Sequence, residues 1–267
     1  MSQKDIFDIL LLIARPAAGK SEIIDYLKDL PLEERRRRFH VGSLDEIDDF
    51  PMLWTWFEED ALLFKMGHPR LYTDSEGYFL RPYFWDLLIE RIGLEYQKKQ
   101  RDRSTARRVV RPPGRHTDDV SRQCFLSSES STTLIEFSRG REHGGYRRAF
   151  SHLSAQILER TALLYVDVSW EESLRKNKKR FNPGKPDSIL EHSLPDAKLE
   201  RLYKETDWAE LTRDDPHYLS VNGIRVPYAV FDNSDDVTTR RGDALGSRLE
   251  EVFSALWTLY ADRSAGM

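Results

Sequence analysis

Two stretches of the chain, Leu10-Leu11-Leu12-Ile13-Ala14 and Ala162-Leu163-Leu164-Tyr165-Val166, offer no polar parity at all. A β-strand turns successive side chains to opposite faces, so a strand that is apolar at both parities must be covered on both sides. In a parallel sheet helices supply that cover. Apolar, β-rich runs at residues 6–14, 39–42, 132–137, 162–168 and 226–232 alternate with helical patterns at 19–30, 81–100, 146–161, 170–180, 197–205 and 242–261. This order predicts an α/β fold of three layers around a central five-stranded parallel sheet, with the first and fourth strands innermost. In the last helix Leu245, Leu249, Val252, Phe253, Leu256, Trp257 and Tyr260 recur at three- and four-residue spacings and form one stripe that docks on the sheet.

The 267 residues are 39% apolar and 32% charged, which excludes a disordered chain and suits a single elaborated domain over 1–267. No apolar run approaches the roughly 20 residues that a membrane-spanning helix requires, so no membrane partner is expected. The N-terminal segment is acidic where a signal peptide is basic, and Cys124, the single cysteine, cannot form an intrachain disulfide. The expected location is cytoplasmic. Charge and aromatic content are uneven. Residues 98–115 carry +7 against −11 for the remainder, and residues 50–85 hold 11 of the 30 aromatic side chains. Even spreading would give that aromatic segment about four. It reads as a compact helical unit within a region, 50–131, inserted between the second and third strands, and the polar passage 101–131 reads as a mobile loop.

Directly after the first strand come Ala14-Arg15-Pro16-Ala17-Ala18-Gly19-Lys20-Ser21-Glu22 and a helical run. Backbone N–H groups at a helix start point at anionic oxygens, and the helix dipole adds to the attraction. A lysine in such a turn reaches β- and γ-phosphates, and the serine hydroxyl reaches Mg²⁺. The alternative for the same residues is an ordinary strand-to-helix turn with Lys20 solvated and Ser21 as a cap. RPAAGKSE resembles the phosphate loop of the nucleoside and nucleotide kinases, whose adenylate kinase-like form reads G-x-P-x-[SA]-G-K. Pro16, Ala18, Gly19 and Lys20 match, while Ala14 and Ala17 stand where that family has glycine. The resemblance implies a P-loop NTPase fold, ATP and Mg²⁺ as cofactors, and nucleotide contacts from Arg15, Pro16, Ala17, Ala18, Gly19, Lys20, Ser21 and Glu22.

In open parallel sheets chemistry collects at the carboxyl ends of the strands. The third strand ends in Glu136-Phe137-Ser138-Arg139-Gly140, which looks like the D-G-F-P-R stretch of adenylate kinase-like proteins. By that resemblance Glu136 orders water on a Mg²⁺ held by Ser21, and Arg139 offsets phosphoryl charge; a structural Glu136–Arg139 pair is the alternative. Asp48-Asp49-Phe50 is similar to the acidic aromatic turn of uridine kinase-like enzymes. Of Asp45, Asp48 and Asp49, Asp49 is expected to position the acceptor, with Trp54, Trp56 or Phe57 stacking on a base. Arg141, His143, Arg147 and Arg148 read as a phosphate cluster or as a solvated helix face. Arg175, Lys176, Lys179 and Arg180 lie at helical spacing in a lid-like region, 175–212, from which Arg175 or Arg180 would close over ATP. Asp232-Asn233-Ser234 occupies the place where kinases of this class contact adenine through backbone.

The expected activity is Mg²⁺-dependent transfer of the ATP γ-phosphoryl group to a small-molecule acceptor, a nucleoside, nucleotide or related hydroxyl compound. Two other readings stand beside it: a P-loop NTPase whose hydrolysis of ATP or GTP serves a switch or a nucleic-acid role, and a nucleotide-binding regulatory protein without turnover. The basic segment 98–115 reads as a flap attracting an anionic acceptor, ahead of a solvated linker and of a nucleic-acid footprint, because no interleaved aromatics provide stacking platforms. The sequence carries no mark of the acceptor's identity or of an oligomeric state.

Overall fold

The computed structural model describes residues 5–109, 131–180 and 194–265. Along them run β1 (Ile9–Ala14), α1 (Lys20–Asp29), α2 (Leu32–Phe39), β2 (Ser43–Asp48), α3 (Asp49–Lys65), α4 (Tyr83–Val109), β3 (Ser131–Phe137), a 3₁₀ turn (Arg141–His143), α5 (Gly145–Ser151), α6 (Ala155–Leu158), β4 (Thr161–Asp167), α7 (Trp170–Arg180), α8 (Asp196–Tyr203), α9 (Trp208–Leu211), β5 (Tyr218–Val221), β6 (Ile224–Asp232), α10 (Val237–Arg240) and α11 (Gly242–Ala265). Every residue of β1 is buried. Leu10, Leu12 and Ala14 pack with α1, α2 and α11, whereas Ile9, Leu11 and Ile13 pack with α4, α5 and α6 on the other face. Three layers follow directly from the two apolar parities. Each such fully buried Leu or Ile contributes about 1.5–3 kcal/mol relative to exposure.

The sheet order is β2-β3-β1-β4-β6-β5, with β1 and β4 innermost as expected. It has six strands, not five: β5 joins β6 antiparallel at the edge, while the other pairings are parallel. Asn222 and Gly223, both at positive φ (51° and 80°), make the turn between β5 and β6, the conformation a two-residue hairpin demands. The second strand is Ser43–Asp48 and not 39–42, since Phe39 is the last residue of α2. The expected helix 146–161 divides into α5 and α6, interrupted where Ser154 caps the second, and Thr161 already belongs to β4.

The basic passage is not a loop from residue 101. α4 continues to Val109, and Lys99 and Arg103, one turn apart, both bond the Asp45 carboxylate on β2 at 2.5 and 2.6 Å. Residues 110–130 and 181–193 lie outside the described residues, and with them Cys124 and the expected lid tip. The aromatic segment is a helical unit as anticipated: α3 and the start of α4 enclose Leu53, Trp56, Phe84 and Leu88. Between them the chain is tied by buried Asp60, which accepts from the backbone N–H of Leu71, Tyr72 and Thr73 and from the Thr73 hydroxyl. Burial works to raise its carboxyl, but these donors outweigh burial and hold it below its ordinary value. No described helix is long and apolar enough to cross a membrane.

Candidate functional site

From β1 the chain passes over β3 to reach β2, and from β3 it passes over β1 to reach β4. The crevice between the carboxyl ends of β1 and β3 is therefore the topological switch point, where open α/β sheets bind ligands. The turn after β1 opens onto it. Ala17 sits at φ 58° and Gly19 at φ 109°, so the backbone folds back sharply before α1 begins. Gly19 is the N-cap and no side chain caps the helix. The first N–H to bond back is that of Ile23, to the Gly19 carbonyl at 3.1 Å, which leaves the N–H groups of Lys20, Ser21 and Glu22 without an intrahelical acceptor.

The turn is braced from behind. Ser173 donates to the Pro16 carbonyl and the Asn233 amide to the Ala18 carbonyl, each at 2.8 Å. Arg15 is a strut: its guanidinium donates to the carbonyls of Val168 and Lys204. At Gly19 a Cβ would lie 2.6 Å from Thr238 Oγ1, so close packing as well as positive φ requires glycine there. Ala17 takes the left-handed conformation without glycine's freedom, at a cost of about 1–2 kcal/mol. Ala17→Gly is expected to raise stability by about 0.5–1 kcal/mol after the extra entropy of the unfolded chain is subtracted, measured as urea midpoint at constant m. A lowered midpoint would contradict the strain at this position.

A cavity of about 150 Å³ lies over the turn, lined by Pro16, Ala17, Ala18, Lys20, Ser21, Asp48, Asp49, Glu136, Ser138 and Arg139 among others. The Lys20 ammonium spans the crevice and donates to Ser138 Oγ at 2.9 Å. Asp48 and Glu136 are register partners on the neighbouring strands β2 and β3. Asp48 caps α3 by accepting from the Phe50 N–H at 2.9 Å. Asp49, also on the lining, is committed to a pair: its carboxylate takes Arg139 at 2.6 Å, with side chains 8% and 2% exposed. Asp49 is thus the carboxylate that Arg139 takes, where the sequence offered Glu136.

Burial first, then the charges of Glu136 and Asp49, push the Asp48 carboxyl up to about 8, against the opposing pull of the Phe50 N–H and Lys20. The folded protein consequently holds a proton that the unfolded chain releases near pH 4. The resulting stability is full below that pH and is lost as pH rises through about 8. Melting of the ligand-free protein should fall between pH 5 and pH 8.5 by up to about 1.4 kcal/mol per pH unit. Asp48→Asn, which keeps the capping oxygen, should remove that part of the slope; an unchanged slope would contradict the shift.

The other expected residues are dispersed. Asp45 is held by Lys99 and Arg103, away from the cavity lining. Arg175 is bound to Glu172 and Asp236, and buried Lys176 also pairs with Asp236. Neither lines the cavity. Arg180 closes α7, and its side chain lies outside what is described. Arg141 and Arg148 bond Glu210 and Asp86, and His143 is buried in a stack on Trp85, so these three are engaged with separate partners. Burial and the Arg139 charge hold His143 well below its ordinary value. Trp56 is a core residue stacked on Tyr72, whereas Trp54 and Phe57 line a second cavity of about 390 Å³. That cavity shares Phe50, Leu53, Trp85, Leu194 and Tyr203 with the first. Asn233, expected in an adenine-facing turn, is a buried brace of the Gly19 turn.

Among the described residues no group of three or more His, Cys, Asp or Glu side chains is placed to hold a metal ion. The donor set over the turn is one hydroxyl, Ser21, with the carboxylates Asp48 and Glu136. Such a set fits Mg²⁺, which keeps several waters and leans on one or two carboxylates and on substrate phosphates. No model of a known protein family matches this chain, and no curated protein matches it in sequence.

Proposed function

We propose that the chain is a P-loop phosphotransferase of the nucleoside and nucleotide kinase type, moving the γ-phosphoryl group of ATP to a small acceptor. The supporting observation is Lys20: it stands at an uncapped helix start at the switch point and reaches across to the end of β3, in one cavity with Ser21, Asp48 and Glu136. The N–H groups of residues 20–22 and the Lys20 ammonium bind the β- and γ-phosphates. Ser21 and Glu136 hold Mg²⁺, which when bound neutralises charge on the phosphate oxygens. Asp49 is committed to Arg139, which leaves Asp48 to orient the acceptor hydroxyl; its carboxyl, raised to about 8 in the ligand-free protein, takes the hydroxyl proton only in its ionised form, which the charge of Lys20 favours and a bound Mg²⁺ would favour further. As the acceptor oxygen bonds to the γ-phosphorus, the bond to the β–γ bridging oxygen breaks and ADP leaves.

One observation favours the regulatory reading as second. Lys20 and Arg139 are the cationic side chains on the lining of the cavity among the described residues, and Arg139 is already neutralised by Asp49. Incubation with γ-labelled ATP, Mg²⁺ and pooled nucleosides, nucleotides, sugars and small alcohols separates the readings. Label on an organic product is expected. Release of labelled inorganic phosphate alone would indicate an NTPase, and binding with no movement of label a regulator. Glu136→Gln should lower turnover about 10²-fold or more with ATP affinity little changed. Equal losses of fold stability and turnover would make Glu136 structural instead.

A further inference from the structure

The larger cavity, about 390 Å³, adjoins the phosphate-side cavity and has the size of a small-molecule site. Its walls are rings and aliphatic groups, Trp54, Phe57, Tyr78, Phe79, Pro82 and Leu202 among them. Four ionised side chains reach it, Glu76, Glu142, Lys198 and Arg201, and their charges cancel. The two cations are engaged. Lys198 donates to the carbonyls of Glu76 and Gly77 at 2.9 and 2.7 Å, and Arg201 bonds Glu142 at 2.8 Å while lying over the Tyr78 ring. An anionic ligand would compete with Glu142 for Arg201 and find two of the three Lys198 donors already on carbonyls, and a polyol would leave most of its hydroxyls facing carbon. A planar, uncharged ring system meets neither cost and gains stacking on the aromatic walls.

We infer that this chamber seats the body of a neutral, aromatic hydroxyl compound, whose hydroxyl extends past the shared residues Phe50 and Trp85 toward Asp48. The inference rests on the phosphotransfer reading for the chamber's role, and it replaces the anionic acceptor anticipated from the basic segment. The described part of that segment is helix, with Lys99 and Arg103 held by Asp45. In the reaction the ring compound's O–H oxygen bonds to the γ-phosphorus of ATP, ADP departs, and the hydroxyl proton goes to the ionised form of Asp48.

The test is binding of 2-naphthalenemethanol, 2-naphthyl phosphate and glycerol to the full chain, followed by calorimetry, with Mg-ATP titrated separately. The neutral alcohol should bind about tenfold or more tightly than the phosphate ester, and glycerol should show no saturation. Trp54→Ala and Phe57→Ala, each checked for retained melting, should weaken the alcohol about tenfold and leave Mg-ATP affinity unchanged. Lys20→Ala should leave the alcohol's affinity intact. Tighter binding of the phosphate ester, absence of binding by the alcohol, or indifference to both ring deletions overturns the inference, even if Mg-ATP binds. Failure of Mg-ATP to bind while the alcohol still binds overturns the phosphotransfer reading and the acceptor role with it, and supports the ligand class alone.

Discussion

Asp49→Ala is expected to destabilise the protein by about 3–5 kcal/mol, because it strands a buried guanidinium. Arg139 is 2% exposed and its other contacts are weak substitutes for a charge: the carbonyls of Ser138 at 2.7 Å and Trp85 at 3.4 Å, and the faces of Trp85 and Phe137. Neutral carbonyls and rings do not replace a carboxylate at 2.6 Å for a guanidinium so little exposed. The double substitution Asp49→Leu with Arg139→Met removes both charges and should recover most of the loss, since a buried pair is often replaceable by apolar groups of similar volume. Urea unfolding reads both effects. A cost below about 1 kcal/mol for Asp49→Ala would show the pair to be solvated. The pair also holds the start of α3 to the end of β3, so its loss should disturb both walls of the crevice.

Much of the frame was legible because burial on two faces leaves a compositional trace. β1 and β4 were readable as innermost from runs without polar parity, and α1 from the strand, Gly19-Lys20-Ser21 and helix in succession. β2 was displaced for the opposite reason. As an edge strand it pairs on one side only and carries Ser43, Asp45, Glu46 and Asp48, so the apolar Phe39-His40-Val41 beside it drew the assignment. β5 is short and also at an edge, yet Asn222-Gly223 between Val221 and Ile224 is a hairpin signal that could have disclosed it. α4 outran its expected end because a run of like charge reads as solvated, whereas Lys99 and Arg103 find Asp45 on a strand far away in sequence.

The site divides along the same line. Lys20, Ser21 and Glu136, which share one cavity lining, were singled out from positions relative to their own strands, information that is local. Which carboxylate Arg139 takes depends on β2 and β3 lying side by side, and Asp49 is 90 residues away along the chain. Ser138 as the partner of Lys20, Asn233 and Ser173 as braces, and Trp85 and Tyr203 as walls shared by the two cavities carry no local motif. They are brought together by the sheet order alone.

Lys20→Ala should abolish nucleotide binding and spare the fold. The ammonium is half-buried at the cavity wall, bonds the Ser138 hydroxyl and eases the Asp48 carboxyl, and none of these contacts lies in the packed core, so the fold should survive its removal. Two charge-assisted bonds to phosphate oxygens disappear, each about 1.5–3 kcal/mol, so affinity should fall by about 10²-fold or more. The direct measurement is calorimetric titration of wild type and Lys20→Ala with Mg-ATP, beside a thermal melt of each. Saturable binding by wild type and its loss in a variant with nearly unchanged melting is the result predicted. Equal affinity in the two proteins, or no binding by wild type, would contradict the assignment of the Gly19-Lys20-Ser21 turn to phosphate.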